Sequence, residues 1–132
     1  MEEKRKVLVA EDDESLGKVL QEKLEAANLN VVVVKNGKEC ISYIKESKPD
    51  ILVLDILMPV MTGVETLKEI KGTEELKDLP VIVLTNFTDV NKISEVLELG
   101  VTDYYVKSDN PIDRVIEKIH EKLEGEENKK EG

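Results

Sequence analysis

One cysteine and one histidine in 132 residues leave little material for soft-metal or thiol chemistry. With Cys40 alone, no internal disulfide forms and no cysteine cluster can hold zinc or iron. Its helical neighbours Ile41 and Ile44 predict a buried thiol. His120, with no second histidine or cysteine beside it, reads as a surface residue rather than a metal ligand. No apolar run reaches the ~18 residues that span a bilayer, and Met1-Glu2-Glu3-Lys4 lacks the apolar region of a secretory leader. The cytoplasm is therefore the expected compartment. Positive charge is also short: 19 Lys and Arg against 29 Asp and Glu give a net charge of -10, which argues against a nucleic-acid or membrane surface. No two of the seven glycines have the spacing of G-x-G-x-x-G, and no G-x-x-x-x-G-K-[ST] is present, so a nucleotide or flavin binder on this architecture finds no support.

What is present is a regular alternation of short apolar runs and helical stripes. Lys6 to Ala10 reads as a strand, followed by a helix carrying Leu16, Val19, Leu20, Leu24 and Ala27. Val31 to Val34 is a second strand; Asn36-Gly37 is a turn before a helix with Cys40, Ile41 and Ile44. Asp50 to Leu54 is a third strand without polar alternation, as suits the middle of a sheet covered on both faces. Thr62-Gly63-Val64-Glu65 has the form of a capping box before Val64, Leu67 and Ile70. Val81 to Leu84 follows Pro80, and a helix around Ile93, Val96 and Leu97 closes at Gly100. Thr102 to Val106 is the fifth strand. Asn110-Pro111 opens a last helix with Ile112, Val115, Ile116, Ile119 and Leu123. The expected fold class is α/β: a five-stranded parallel sheet with five helices on both faces. Residues 1–125 form the expected domain, and 126–132 a disordered charged tail.

The informative polar residues each close a different strand: Glu11 and Asp12 the first, Asp55 the third, Thr85 the fourth, Lys107 the fifth. In a parallel sheet those ends share one edge, where open α/β sheets bind their ligands. Carboxylates gathered there repel; at an effective dielectric of about 20, a pair ~4 Å apart costs about 4 kcal/mol, which favours a bound cation or a raised pKa. An oxygen-only donor set suits Mg²⁺. A carboxylate beside Mg²⁺, an ammonium and a hydroxyl is what phosphoryl transfer to an aspartate needs.

On Glu11-Asp12-Asp13, Asp55 with Met58-Pro59 and Gly63, Thr85, and Tyr104 three residues before Lys107, the chain resembles the receiver domains of two-component response regulators, of the single-domain, CheY-like kind. The resemblance runs from about Lys6 to Leu123 and implies a flavodoxin-like (βα)5 fold with strand order 2-1-3-4-5. It implies that Asp55 accepts a phosphoryl group from a sensor histidine kinase or a phosphotransfer protein. Asp12 and Asp55 would hold Mg²⁺, or Mn²⁺ in its place, with the Leu57 backbone carbonyl as a third ligand and Glu11 acting through water. The family's usual frame selects Glu11 and Asp12 and leaves Asp13 at a helix start, where a negative charge is favourable; in the alternative frame Asp13 is the second ligand. Lys107 and Thr85 would contact the phosphoryl oxygens, and Tyr104 would swing inward as Thr85 moves.

The implied output is a changed surface formed by the helix from about Asp89 to Leu99, the fifth strand and the last helix. It would be read by a downstream protein or by a second copy of the chain; Lys92, Glu95, Glu98, Asp103, Arg114 and Lys118 offer mixed charges for such a dimer, but read first as an ordinary solvated exterior. No output domain is expected in this sequence, so the effect passes to another polypeptide. Three departures from the family's pattern stand out, at four positions. Ser108 follows Lys107 where proline is common, Asn86 follows Thr85 where a small residue is usual, and Leu57 and Phe87 are apolar beside the expected line of water attack. The last departure predicts slow loss of phosphate. A hydrolase with an aspartyl-phosphate intermediate would need a second acid two residues after Asp55, where Leu57 stands.

Overall fold

A computed structural model describes residues 4–86, 90–107 and 111–131. Its elements run β1 (Lys6–Ala10), α1 (Glu14–Ala26), β2 (Asn30–Val34), α2 (Gly37–Glu46), β3 (Ile51–Leu54), α3 (Gly63–Lys71), β4 (Val81–Thr85), α4 (Val90–Glu98), β5 (Asp103–Val106) and α5 (Ile112–Glu131). The strands form one parallel sheet in the order β2-β1-β3-β4-β5. The flavodoxin-like topology expected from the sequence is therefore the one adopted. β3 lies in the centre, with Leu54 paired to Ala10 of β1 on one side and to Val83 of β4 on the other.

Alternation along the strands sends side chains into two separate cores. Leu8, Ala10, Leu52, Leu54, Val81 and Val83 pack with Cys40, Ile41 and Ile44 of α2, Val64, Leu67 and Ile70 of α3, and Val96 of α4. Val7, Val9, Ile51, Val53, Ile82 and Leu84 pack with Leu20 and Leu24 of α1 and Val115, Ile119 and Leu123 of α5. Helices thus cover both faces, which is why the central strands can be apolar without interruption.

Several local expectations need correction. Asn36-Gly37 is not a free-standing turn: Asn36 caps α2, its side chain accepting from the Glu39 N–H at 2.9 Å. Val19 and Leu97, assigned to apolar stripes, are exposed, because each helix needs only its i, i+3, i+4 face against the sheet. His120 is half-buried rather than on the open surface. α5 continues to Glu131, through the segment expected to be a disordered tail; its Glu and Lys residues favour helix and no proline interrupts it. The capping box is present: the Glu65 N–H donates to Thr62 Oγ1 at 3.2 Å, and the Thr62 N–H donates to Glu65 Oε1 at 3.1 Å. Gly100 adopts φ +93° after α4 and so ends it in the left-handed region. Asn110, the expected cap of α5, lies outside the described residues, as do Ser108 and Phe87.

Candidate functional site

The strand ends converge because the sheet register leaves them no alternative. The Asp55 N–H donates to the Ala10 carbonyl at 3.1 Å and the Glu11 N–H to the Val34 carbonyl at 2.9 Å, so both residues extend the ladder by one rung. The Lys107 N–H donates to the Thr85 carbonyl at 2.9 Å, which does the same between β5 and β4. Glu11, Asp55 and Lys107 continue the register of the face covered by α1 and α5, while Thr85 and Tyr104 share the register of the opposite face.

These ends enclose a cavity of about 260 Å³ lined by Glu11, Asp12, Asp13, Asp55, Leu57, Thr85, Asn86 and Lys107. All five expected strand-end residues line it. Tyr104 does not; it is half-buried against the core beneath α2, α3 and α4. Glu11, Asp55 and Thr85 are buried, and Asp12 is exposed. The Lys107 ammonium stands 2.5 Å from Glu11 Oε1 and 3.1 Å from Asp55 Oδ2, a single cation shared by two buried carboxylates. This direct pairing of Glu11 had no signal in the sequence beyond the sign of its charge. Asp55 Oδ1 also accepts from the Leu57 N–H at 3.3 Å. Asp13 lines the cavity, but its side chain caps α1, Oδ1 accepting from the Leu16 N–H at 3.1 Å.

The charges are unevenly satisfied. Burial, only partly offset by the hydrogen bond from Lys107 and reinforced by the negative charge of Asp55, pushes the Glu11 carboxyl up to about 7. Burial works against the Lys107 ammonium, yet Glu11 and Asp55 together hold it above its ordinary range. Burial, and then the charge on Asp55, raise the Tyr104 phenol.

One oxygen from each of Glu11, Asp12 and Asp55 lies within 4.8 Å of the others. Opposite ligands on an octahedral Mg²⁺ stand about 4.2 Å apart, so small side-chain adjustments would bring Asp12 and Asp55 into one coordination shell with Glu11 beside it. An oxygen-only set with excess negative charge fits a hard divalent cation and gives nothing to a soft one. Glu11 carries the high proton affinity that such a cation would displace.

The β3–α3 connection holds two features that the sequence did not signal. Leu57 is 52% exposed and Val60 76% exposed, and Val60 adopts φ +68°, a region a β-branched residue rarely enters. Gly63, by contrast, was legible: its N–H donates to the Ile56 carbonyl at 2.8 Å, and a Cβ there would lie 2.2 Å from the Asp55 carbonyl oxygen.

Comparison with known proteins gives a consistent result. The family model for the response regulator receiver domain matches residues 7–120. The chain is 36% identical over 111 residues to the probable transcriptional regulator ycf27 of Guillardia theta, covering 84% of this chain and 42% of that protein. It thus spans less than half the length of that curated relative. Among solved structures, the phosphorylated cyanobacterial phytochrome response regulator RcpA superposes with a TM-score of 0.78 at 30% identity, over 87% of this chain and 88% of that one. The Mn²⁺-bound form of response regulator Rcp1 gives 0.79 at 26% identity, over 87% and 91%.

Proposed function

The chain belongs to the response regulator receiver domain family, and from that premise we propose that it is a phosphorylation-operated switch with Asp55 as the acceptor. The observation that carries the reading is the Lys107 ammonium held between Glu11 and Asp55, which gathers the ends of β1, β3 and β5 into one charged pocket.

In the proposed reaction a carboxylate oxygen of Asp55 attacks phosphorus in line, the bond to a histidine nitrogen of the donor breaks, and an acyl phosphate forms. Lys107 leaves Asp55 for the incoming phosphoryl oxygens, and the Thr85 hydroxyl donates to another. Asp12 and Asp55, with the Leu57 carbonyl and with Glu11 as an outer partner, would hold Mg²⁺. Asp13, engaged as the α1 cap, is the weaker candidate. When bound, the cation neutralises the charge that develops on the transferring group.

Thr85 and Tyr104 sit on the register of the α4 face, so a Thr85 drawn toward phosphate opens space that Tyr104 can fill. The surface of α4, β5 and α5 is then the output, read by a downstream protein or a second copy of the chain. The donor is a sensor histidine kinase or phosphotransfer protein. No direct contact with nucleic acid or membrane is assigned, and the compartment is cytoplasmic. Among the described residues no helix is long and apolar enough to cross a membrane.

Incubation with acetyl phosphate and Mg²⁺ tests the reading. One base-labile phosphoryl group per chain, absent from Asp55→Asn, is the expected result. Labelling that persists in Asp55→Asn, or multiple turnover of phosphate esters, would refute it.

A further inference from the structure

Gly37 lies outside the pocket, on the far side of the β3–α3 connection, and the structure leaves it no room for a side chain. A Cβ there would stand 2.0 Å from Thr66 Oγ1, 2.7 Å from the Met61 carbonyl oxygen and 2.9 Å from Met61 Cβ. The Gly37 N–H donates to that same Met61 carbonyl at 3.1 Å. The first residue of α2 is thus pressed against the last part of the loop that begins at Asp55.

Thr66 cannot give way. It is fully buried on α3, and its hydroxyl donates to the Thr62 carbonyl at 2.7 Å. The loop itself can. Leu57 and Val60 are exposed, so its outer side is open, and Val60 already holds an unfavoured backbone conformation. On its inner side Ile56 and Met58 are buried in the core, and within the loop the Met61 N–H donates to the Pro59 carbonyl at 2.7 Å and the Gly63 N–H to the Ile56 carbonyl at 2.8 Å. A push at Met61 therefore travels back through Pro59 and Ile56 toward Leu57 and Asp55, whose contact at 3.3 Å shapes the pocket wall.

We propose that Gly37 is a positioning residue for the acidic pocket: α2, by bearing on Met61 and Thr66 without an intervening side chain, holds the Asp55–Thr62 loop where Asp55 and Leu57 can receive a divalent cation. The inference rests on the reading of that pocket as a Mg²⁺ site.

The test is a Mg²⁺ titration of the unphosphorylated protein, followed by the amide resonances of Asp55 and Leu57, with urea unfolding in EDTA alongside. Gly37→Ala is expected to raise the half-saturating Mg²⁺ concentration by about tenfold or more, the usual penalty for disturbing an outer-shell support. Phosphorylation by acetyl phosphate should recover as Mg²⁺ approaches saturation. A loss of stability without a change in half-saturation would mean that Gly37 serves packing only, and would overturn the proposal. Should Gly37→Ala not fold, Thr66→Ala loosens the same contact without forcing atoms together. A several-fold rise in half-saturation supports the proposal there, and an unchanged value overturns it. A wild-type protein that takes up no Mg²⁺ refutes the reading of the pocket itself, whereas normal uptake shared by wild type and variants refutes this inference alone.

Discussion

Glu11→Gln should make the protein more stable at neutral pH, although it removes one half of a buried ion pair. Glu11 is 3% exposed, and its carboxyl is pushed from 4.5 to about 7, chiefly by burial. Because the native value exceeds the unfolded one, the native state holds more protons between those limits. Stability is then fully present below about pH 4.5 and falls as pH rises through about 7. The difference between 4.5 and about 7, at about 1.4 kcal/mol per unit, corresponds to ~3 kcal/mol lost across the window. Gln keeps the shape and can still accept from Lys107, but it does not titrate. Urea unfolding in EDTA at pH 5, 6, 7 and 8 should show wild type losing about 2 to 3 kcal/mol more than Glu11→Gln over that range, the rest of the loss falling below pH 5. Mg²⁺ added at pH 8 should restore much of the loss in wild type and less in the variant, since the cation takes the place of the proton. Parallel pH profiles for the two proteins would refute the claim that burial of Glu11 dominates the pocket's electrostatics.

Two further outcomes follow from the loop after β3. Leu57→Asn places a polar group beside Asp55 and should shorten the phosphoryl half-life several-fold, read by loss of radiolabel; because Leu57 is half out in solvent, stability should change by less than about 0.5 kcal/mol. A wild-type half-life of seconds would contradict the underlying expectation that this site loses phosphate slowly. Val60→Asn should raise the urea midpoint by the equivalent of ~1 kcal/mol, because Asn tolerates the left-handed region that Val60 occupies at φ +68°; an unchanged or lower midpoint would show that the Val60 side chain earns its conformation through contacts.

The strands were readable because each is a short apolar run set between helical stripes, whereas their order came from the family resemblance and not from the runs themselves. The polar residues that close the strands needed a common edge, which brought Glu11, Asp12, Asp55, Thr85 and Lys107 into one cavity. Asp13 illustrates a limit of such reading: three consecutive acids look alike in sequence, and only the backbone shows that the third turns away to cap α1. Asn36-Gly37 illustrates another, since the dipeptide signals a turn and a helix start equally well until tertiary packing decides. Val19 and Leu97 were misplaced because an apolar residue at roughly the right period is free to face solvent on a helix that already buries enough. The left-handed Val60 left no trace, as β-branched residues carry no propensity for that conformation.

The sheet order sets unequal costs for rearranging its parts. β3 is hydrogen-bonded on both sides, whereas β5 has β4 as its one partner in the sheet, and all four of its residues are only half-buried. The Lys107 ammonium and the Tyr104 ring therefore ride on a margin of the fabric, while Asp55 is woven into its middle. Hydrogen exchange should find β5 amides opening well before those of β3. A chain built this way can rearrange its β5 margin without disturbing the central strand that carries Asp55.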